Sequence, residues 1–234
     1  MKLSISFIAG VLLFCINTRA QDSTASRLRI GSTASIDYSS YQYYVQNELM
    51  EPGAMFAFER PGVGLSGGII CAYSLDPNYS LTCGIRFTEH NIVSGPLDLF
   101  TINGTIGTVK FTYHTRYIDI PLGFQYNPNQ TKNIFFIANA AITPGYVIGE
   151  WIELDFEGDD TLGIVDQTTK STSTELNRFS LKAEVYTGIG MNAGRFQLQF
   201  LPQARYSFFK AANNTPINRR YWSAGIDLRL LYSF

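Results

Sequence analysis

Two imidazoles, His90 and His114, are the chain's only side chains that titrate near neutrality without perturbation, and so its first candidates for a general base. Hydrolysis of an acyl ester at such a base needs a nucleophile and an orienting group within hydrogen-bond reach. Ser94 and the loop carboxylates could approach His90, and both histidines fall at the same rim, His90 ending one predicted strand and His114 preceding the next. Polar rim residues are ordinarily solvated, so no catalytic residue and no enzyme is expected. The carboxylates Asp155, Glu157, Asp159 and Asp160 lack the fixed ligand spacing of a calcium loop and read as a solvated charge run. Sequons at Asn78, Asn103, Asn129 and Asn213 read as turn and loop composition. No phosphate-cradling glycine loop or metal-type Cys/His spacing occurs, so no cofactor or metal is expected. A net charge of −1 gives no footprint for nucleic acid.

The remaining charges follow a pattern instead. Arg86, Asp119, Lys182, Glu184, Arg205, Asp227 and Arg229 each occupy the polar parity of a segment whose other parity is apolar. A two-residue period belongs to strands. The final stretch, Tyr221–Phe234, shows it best: Trp222, Ala224, Ile226, Leu228, Leu230, Tyr232 and Phe234 share one face, with Leu231 the exception. An unguarded soluble strand of this kind would aggregate, whereas a transmembrane barrel strand of about 9–11 residues wants this pattern. Inside a narrow barrel the seven charges can pair; on the lipid face each would cost roughly 2–4 kcal/mol at the midplane. A plug of ion pairs is the expectation, and a proton or ion path through those residues is the alternative.

Eight such strands are predicted, near 28–43, 62–75, 79–90, 117–126, 133–148, 179–191, 195–208 and 221–234. The faces of the fifth cannot be assigned, because Phe135, Phe136, Ile137, Ala140 and Ile142 occupy both parities. Pro121 suits only a bulge in the fourth. Connections alternate between long and short, as in outer-membrane barrels with tight periplasmic turns, which puts both termini in the periplasm. The fold class is therefore an all-β, eight-stranded, antiparallel up-and-down transmembrane barrel. It becomes ten-stranded if the connection 91–116 hides a hairpin. A soluble barrel with its apolar face turned inward is the competing architecture. Centring the second hairpin on Pro77 sets Tyr73 opposite Leu81, Cys71 opposite Cys83 and Ile69 opposite Ile85. Export would permit a Cys71–Cys83 disulfide, and two small apolar side chains facing lipid are the alternative.

Residues 1–20 read as a secretory signal peptide, with Lys2, the apolar run Ile5–Cys15 and a cleavage site ending at Ala20. Phe14 is too bulky for lipoprotein processing at Cys15. Residues 21–234 are then one barrel domain. With that leader, the core Tyr-Ile-Asp-Ile-Pro-Leu at Tyr117–Leu122 and a Phe-terminated last strand, the chain resembles the outer-membrane β-barrel domain family common in Bacteroidota, including PorT-like proteins. The resemblance implies an outer-membrane barrel in contact with lipid, and supplies no catalytic residue. It also implies that Leu230, Tyr232 and Phe234 form a signal read by the barrel assembly machinery. Function is expected in the loops, as adhesion, contact with an extracellular or envelope protein, or envelope structure. A small transport or channel role and a lipid-active enzyme are the alternatives.

Overall fold

The computed structural model describes residues 27–45, 59–101, 104–128, 130, 132–158, 167–169, 177–209 and 217–234. The expected signal peptide lies outside them. The elements are β1 (Leu28–Val45), β2 (Glu59–Ser74), β3 (Tyr79–Thr101), β4 (Gly104–Asp119), β5 (Leu122–Tyr126), β6 (Ile134–Gly158), β7 (Gln167–Thr169), β8 (Phe179–Ala193), β9 (Phe196–Ser207) and β10 (Ile217–Ser233). Each pairs antiparallel with its ring neighbours, and β1 closes the ring against β10.

β4 and β5 together fill one position of the ring, since both pair with β3 and β6. The ring therefore has eight positions, with β7 an addition to β6. Pro121 interrupts the fourth position because it has no N–H to donate, but the expected bulge is not there: from Asp119 to Leu122 the register against β3 and β6 continues unshifted. The Pro121 carbonyl still accepts from Gly84 N at 3.1 Å, and Ile120 N donates to Pro144 O at 2.9 Å, so the wall stays sealed there. The described residues of 91–116 add no strand pair to the ring: 91–101 prolong β3 and 104–116 belong to β4, paired with it antiparallel, which excludes ten ring strands. β6 likewise runs ten residues beyond the predicted 148, so part of the expected loop is strand.

The register fixes the barrel's shape. One circuit reads Arg29, Ala72, Thr82, Gly123, Ala141, Glu184, Arg205, Ser223 and returns to β1 at Ser39, ten residues above its start. With a rise of about 3.3 Å per residue and strands about 4.8 Å apart, that stagger tilts the strands by about 40° and gives a backbone radius of about 8 Å. Side chains from opposite walls can fill such a lumen.

The apolar face points outward. Ile69, Leu65, Val185, Ile189 and Ile85 are 66%, 59%, 54%, 56% and 51% exposed, which overturns the soluble reading with its inward apolar face. From Phe234 to Trp222, both exposed, the tilted strand climbs about 30 Å, the thickness of a bilayer's hydrocarbon core. Aromatics edge this band. Tyr79 stacks on Phe124 and meets Tyr126 at the end with the short turns, where Tyr232 also touches Phe196 and Phe234. Phe179, Phe208 and Phe209 lie at the other end. The turns are short because their residues fit them: Asp76 accepts from the backbone of Asn78 and Tyr79, and Gly194 adopts a φ of 62°.

Among the described residues the interior is mainly polar, with two apolar clusters toward the turn end. Phe135, Ile137, Ala141, Tyr186 and Leu201 form one, and Ile70, Ala72 and Leu231 the other. Leu231 breaks its strand's alternation because it fills the lumen.

Candidate functional site

All seven charges singled out from sequence point into the lumen and are nearly inaccessible to solvent. Lys182 Nζ lies 2.9 Å from both carboxylate oxygens of Asp119. Thr88 Oγ1 donates to Asp119 at 2.9 Å, and the Arg86 guanidinium stands 3.7 Å away. Arg86 reaches across the barrel to Glu184 at 2.5 Å and to the Tyr186 hydroxyl at 3.1 Å. The Tyr186 hydroxyl in turn donates to the second Glu184 oxygen. Arg205 Nε lies 3.6 Å from Glu184, which is therefore shared between two guanidinium groups. Arg229 donates to Asp227 at 2.7 Å and lies over the Tyr186 ring at 4.5 Å.

Asp37 completes this layer, and sequence reasoning missed it. It takes Arg205 Nη1 at 2.5 Å and Gln203 Nε2 at 2.5 Å. A signal was present. The seven charges comprise four cations and three anions, and Asp37 lies on the parity of Thr33 and Ser35 in β1. Adding it balances the layer at four of each sign. Arg29, also missed, sits lower, donating to Gln197 at 2.9 Å and Ser74 at 2.6 Å. Room for the Asp119–Lys182 pair comes from Gly145, where a Cβ would stand 2.2 Å from Asp119 Oδ1 and 2.6 Å from Ser180 Oγ.

The two histidines occupy opposite faces of the wall. His90 is buried inside, its Nδ1 bonded to the Tyr221 hydroxyl and its ring packed against Tyr221 and Tyr117. Ser94 shares its face, but no hydrogen bond joins them among the described residues. His114 is outside, stacked on Trp151 at 4.5 Å between Glu89 and Glu153. Arg116 beside it bonds Glu89 at 2.7 Å and lies 4.1 Å over Trp151. The structure thus does not bring the two imidazoles into one site. Among the described residues no group of three His, Cys, Asp or Glu side chains could hold a metal ion. Asp155 and Glu157 are exposed on the outer face of β6, Asp155 facing Lys110 at 3.9 Å; Asp159 and Asp160 lie outside the described residues. Of the sequons, Asn78 sits in a turn, and Asn103, Asn129 and Asn213 lie outside the described residues.

Cys71 and Cys83 face each other across β2 and β3 as free thiols sharing a hydrogen bond. Of the three expected assembly-signal residues, Leu230 is 46% and Phe234 68% exposed, while Tyr232 is half-buried on the same outer face.

A closed ring of eight strands, apolar outside and charged within, is what a membrane barrel requires. The family model for the outer membrane protein beta-barrel domain matches residues 19–208. The chain belongs to this family. Membership carries with it a bacterial outer-membrane location. Solved structures similar to the chain include neisserial surface protein A (NspA), at 14% identity with 91% of this chain and 100% of that one covered and a TM-score of 0.42. OprG from Pseudomonas aeruginosa is similar at 12% identity, with 92% and 99% covered and a TM-score of 0.46. The outer membrane protease OmpT from Escherichia coli is similar at 11% identity, with 93% and 100% covered and a TM-score of 0.43. No curated protein sequence matches the chain.

Proposed function

We propose that this outer-membrane barrel is closed to solutes, carries no catalytic centre, and works through the surface it raises beyond the lipid. The observation that carries this reading is the cross-lumen layer of Arg86, Asp119, Lys182, Glu184, Arg205 and Asp37, each at most 2% exposed. A lumen spanned by paired side chains is a poor route for a solute. Against that closed base, β3, β4 and β6 rise well past the apolar band. Their outer face carries Glu89, Arg116, His114, Lys110, Glu153 and Asp155, a surface suited to contact with another envelope or extracellular protein.

The mature chain is taken as residues 21–234, released from a signal peptide at residues 1–20. Both termini then face the periplasm and the tall wall faces outward, because short turns cluster at the terminal end. The barrel assembly machinery would read Leu230, Tyr232 and Phe234 during insertion, and outer-membrane lipid would cover the apolar band. The Tyr117–Leu122 core supports a PorT-like Bacteroidota branch of the family. The test is reconstitution of the purified protein in vesicles, with sugar influx and single-channel conductance recorded. Neither should exceed that of protein-free vesicles, whereas Lys110→Glu and Glu153→Lys should change adhesion of intact cells without altering heat-modifiable gel mobility. Steady solute flux through the wild-type protein would refute the closed-barrel reading. Unchanged adhesion in both variants would refute the wall's role.

A further inference from the structure

We propose that Cys71 and Cys83 are a redox pair that closes into an intrachain disulfide during export, pinning the β2–β3 hairpin before the barrel inserts. The inference rests on the outer-membrane location, which requires passage through the envelope. Three observations carry it. The two residues are directly opposed in an antiparallel ladder. Opposed pairs in such ladders have Cα separations of about 4.5 or 5.5 Å, both inside the window of roughly 4.4–6.8 Å that a disulfide spans. Their thiols already converge, because they share a hydrogen bond. Both sit on the lipid-facing wall, in a face with Ile69, Leu81 and Ile85, the last three 66%, 48% and 51% exposed.

That location dictates the timing. Disulfide exchange proceeds through a thiolate, which hydrocarbon disfavours, so oxidation belongs to the aqueous stage before insertion. One cysteine thiolate attacks the disulfide of an envelope thiol oxidase, giving a mixed disulfide and releasing one oxidase thiolate. The second cysteine thiolate then displaces the other oxidase sulfur. Two S–H bonds are lost, one S–S bond forms, two protons leave, and two electrons reduce the oxidase disulfide to a dithiol. Once the barrel is inserted, lipid shields the bond from water-soluble thiols.

The hairpin is suited to early closure. Its turn is short and held by the Asp76 carboxylate, so the two cysteines meet without any long-range contact. A one-residue slip would send one cysteine to the opposite face, so the bond selects the native register.

The test uses the full protein in its native envelope. Cells are quenched in acid, the outer-membrane fraction is dissolved in detergent with a maleimide, with or without prior reduction, and adducts are located by peptide mass mapping. Cys71 and Cys83 should be unlabelled before reduction, labelled afterwards, and recovered as joined peptides. Free thiols at both positions in protein from that fraction would overturn this inference alone, as would a bond from either cysteine to another chain. Absence of the protein from the outer-membrane fraction would overturn the location, and this inference with it.

Discussion

Replacing Asp119 by Asn tests whether the interior charges form one desolvated layer. The side chain is fully buried and neutralises Lys182 through two contacts of 2.9 Å, with Thr88 and Arg86 as further partners. Asn keeps the shape and one acceptor but removes the charge, which strands the Lys182 ammonium in the lumen. Breaking a buried pair in this way costs about 3–5 kcal/mol, or roughly two to three and a half decades in the folding equilibrium. The assay is reversible urea unfolding in lipid vesicles, followed by the emission of Trp151 and Trp222. The companion variant, Asp119→Asn with Lys182→Met, removes the stranded charge and should recover more than half of the loss. A coupling of at least about 2 kcal/mol between the two positions is expected. Two results would refute the reasoning. A destabilisation below about 0.5 kcal/mol would mean that water already solvates these charges. Additive losses in the double variant would mean that they do not act as a pair.

Gly145→Val places a branched side chain where even a Cβ stands 2.2 Å from Asp119 Oδ1, so heat-modifiable mobility should be lost at lower temperature than in wild type. Leu231→Ala empties part of the packing against Ile70 and Ala72 and should cost about 2–5 kcal/mol in the same unfolding assay. Ile85→Arg, near mid-height on the lipid face, should cost roughly 2–4 kcal/mol, whereas Leu75→Arg at the turn end should cost about 1 kcal/mol or less. Equal costs at these two positions would place the bilayer elsewhere on the barrel.

How much of this was legible depended on whether one parity carried one polarity. β2 and β3 were readable down to the residue pair, because Ile69, Cys71 and Tyr73 alternate as cleanly as Leu81, Cys83 and Ile85, and a turn tripeptide fixes the register between them. The interior charges were readable for the same reason, since lipid forbids them on the outer face. Asp37 escaped although it shares the parity of Ser35, because Tyr41, Tyr43 and Tyr44 blur the alternation just beyond it. The partners of each charge were not legible at all. Arg86 and Glu184 meet from strands on different sides of the ring, and nothing local in sequence records a cross-lumen contact.

The faces of β6 were unreadable for a different reason. Near the turn end its two faces are both apolar: Phe136 and Ile142 meet lipid, while Phe135, Ile137 and Ala141 fill the lumen. Farther up, Ile142, Tyr146 and Ile148 point outward, and the apolar residues Ile152, Leu154 and Phe156 keep the same even numbering. The register, however, shifts between Arg116 and Tyr117, which pair with Gly149 and Val147, so β6 gains one residue at Ile148. That single insertion turns every following side chain over. Ile152 then faces inward beside Tyr113 and Ile92, while Trp151, Glu153 and Asp155 face outward. β4 reaches the same result without a bulge, by moving its apolar residues from Ile118 to Tyr113, Phe111 and Val109. Two neighbouring strands thus reverse polarity at the same height by different means. That agreement marks where the wall leaves the hydrocarbon: below it the outside must be apolar, and above it the outside must be wetted. A strand that crosses this boundary cannot be read with one parity along its whole length.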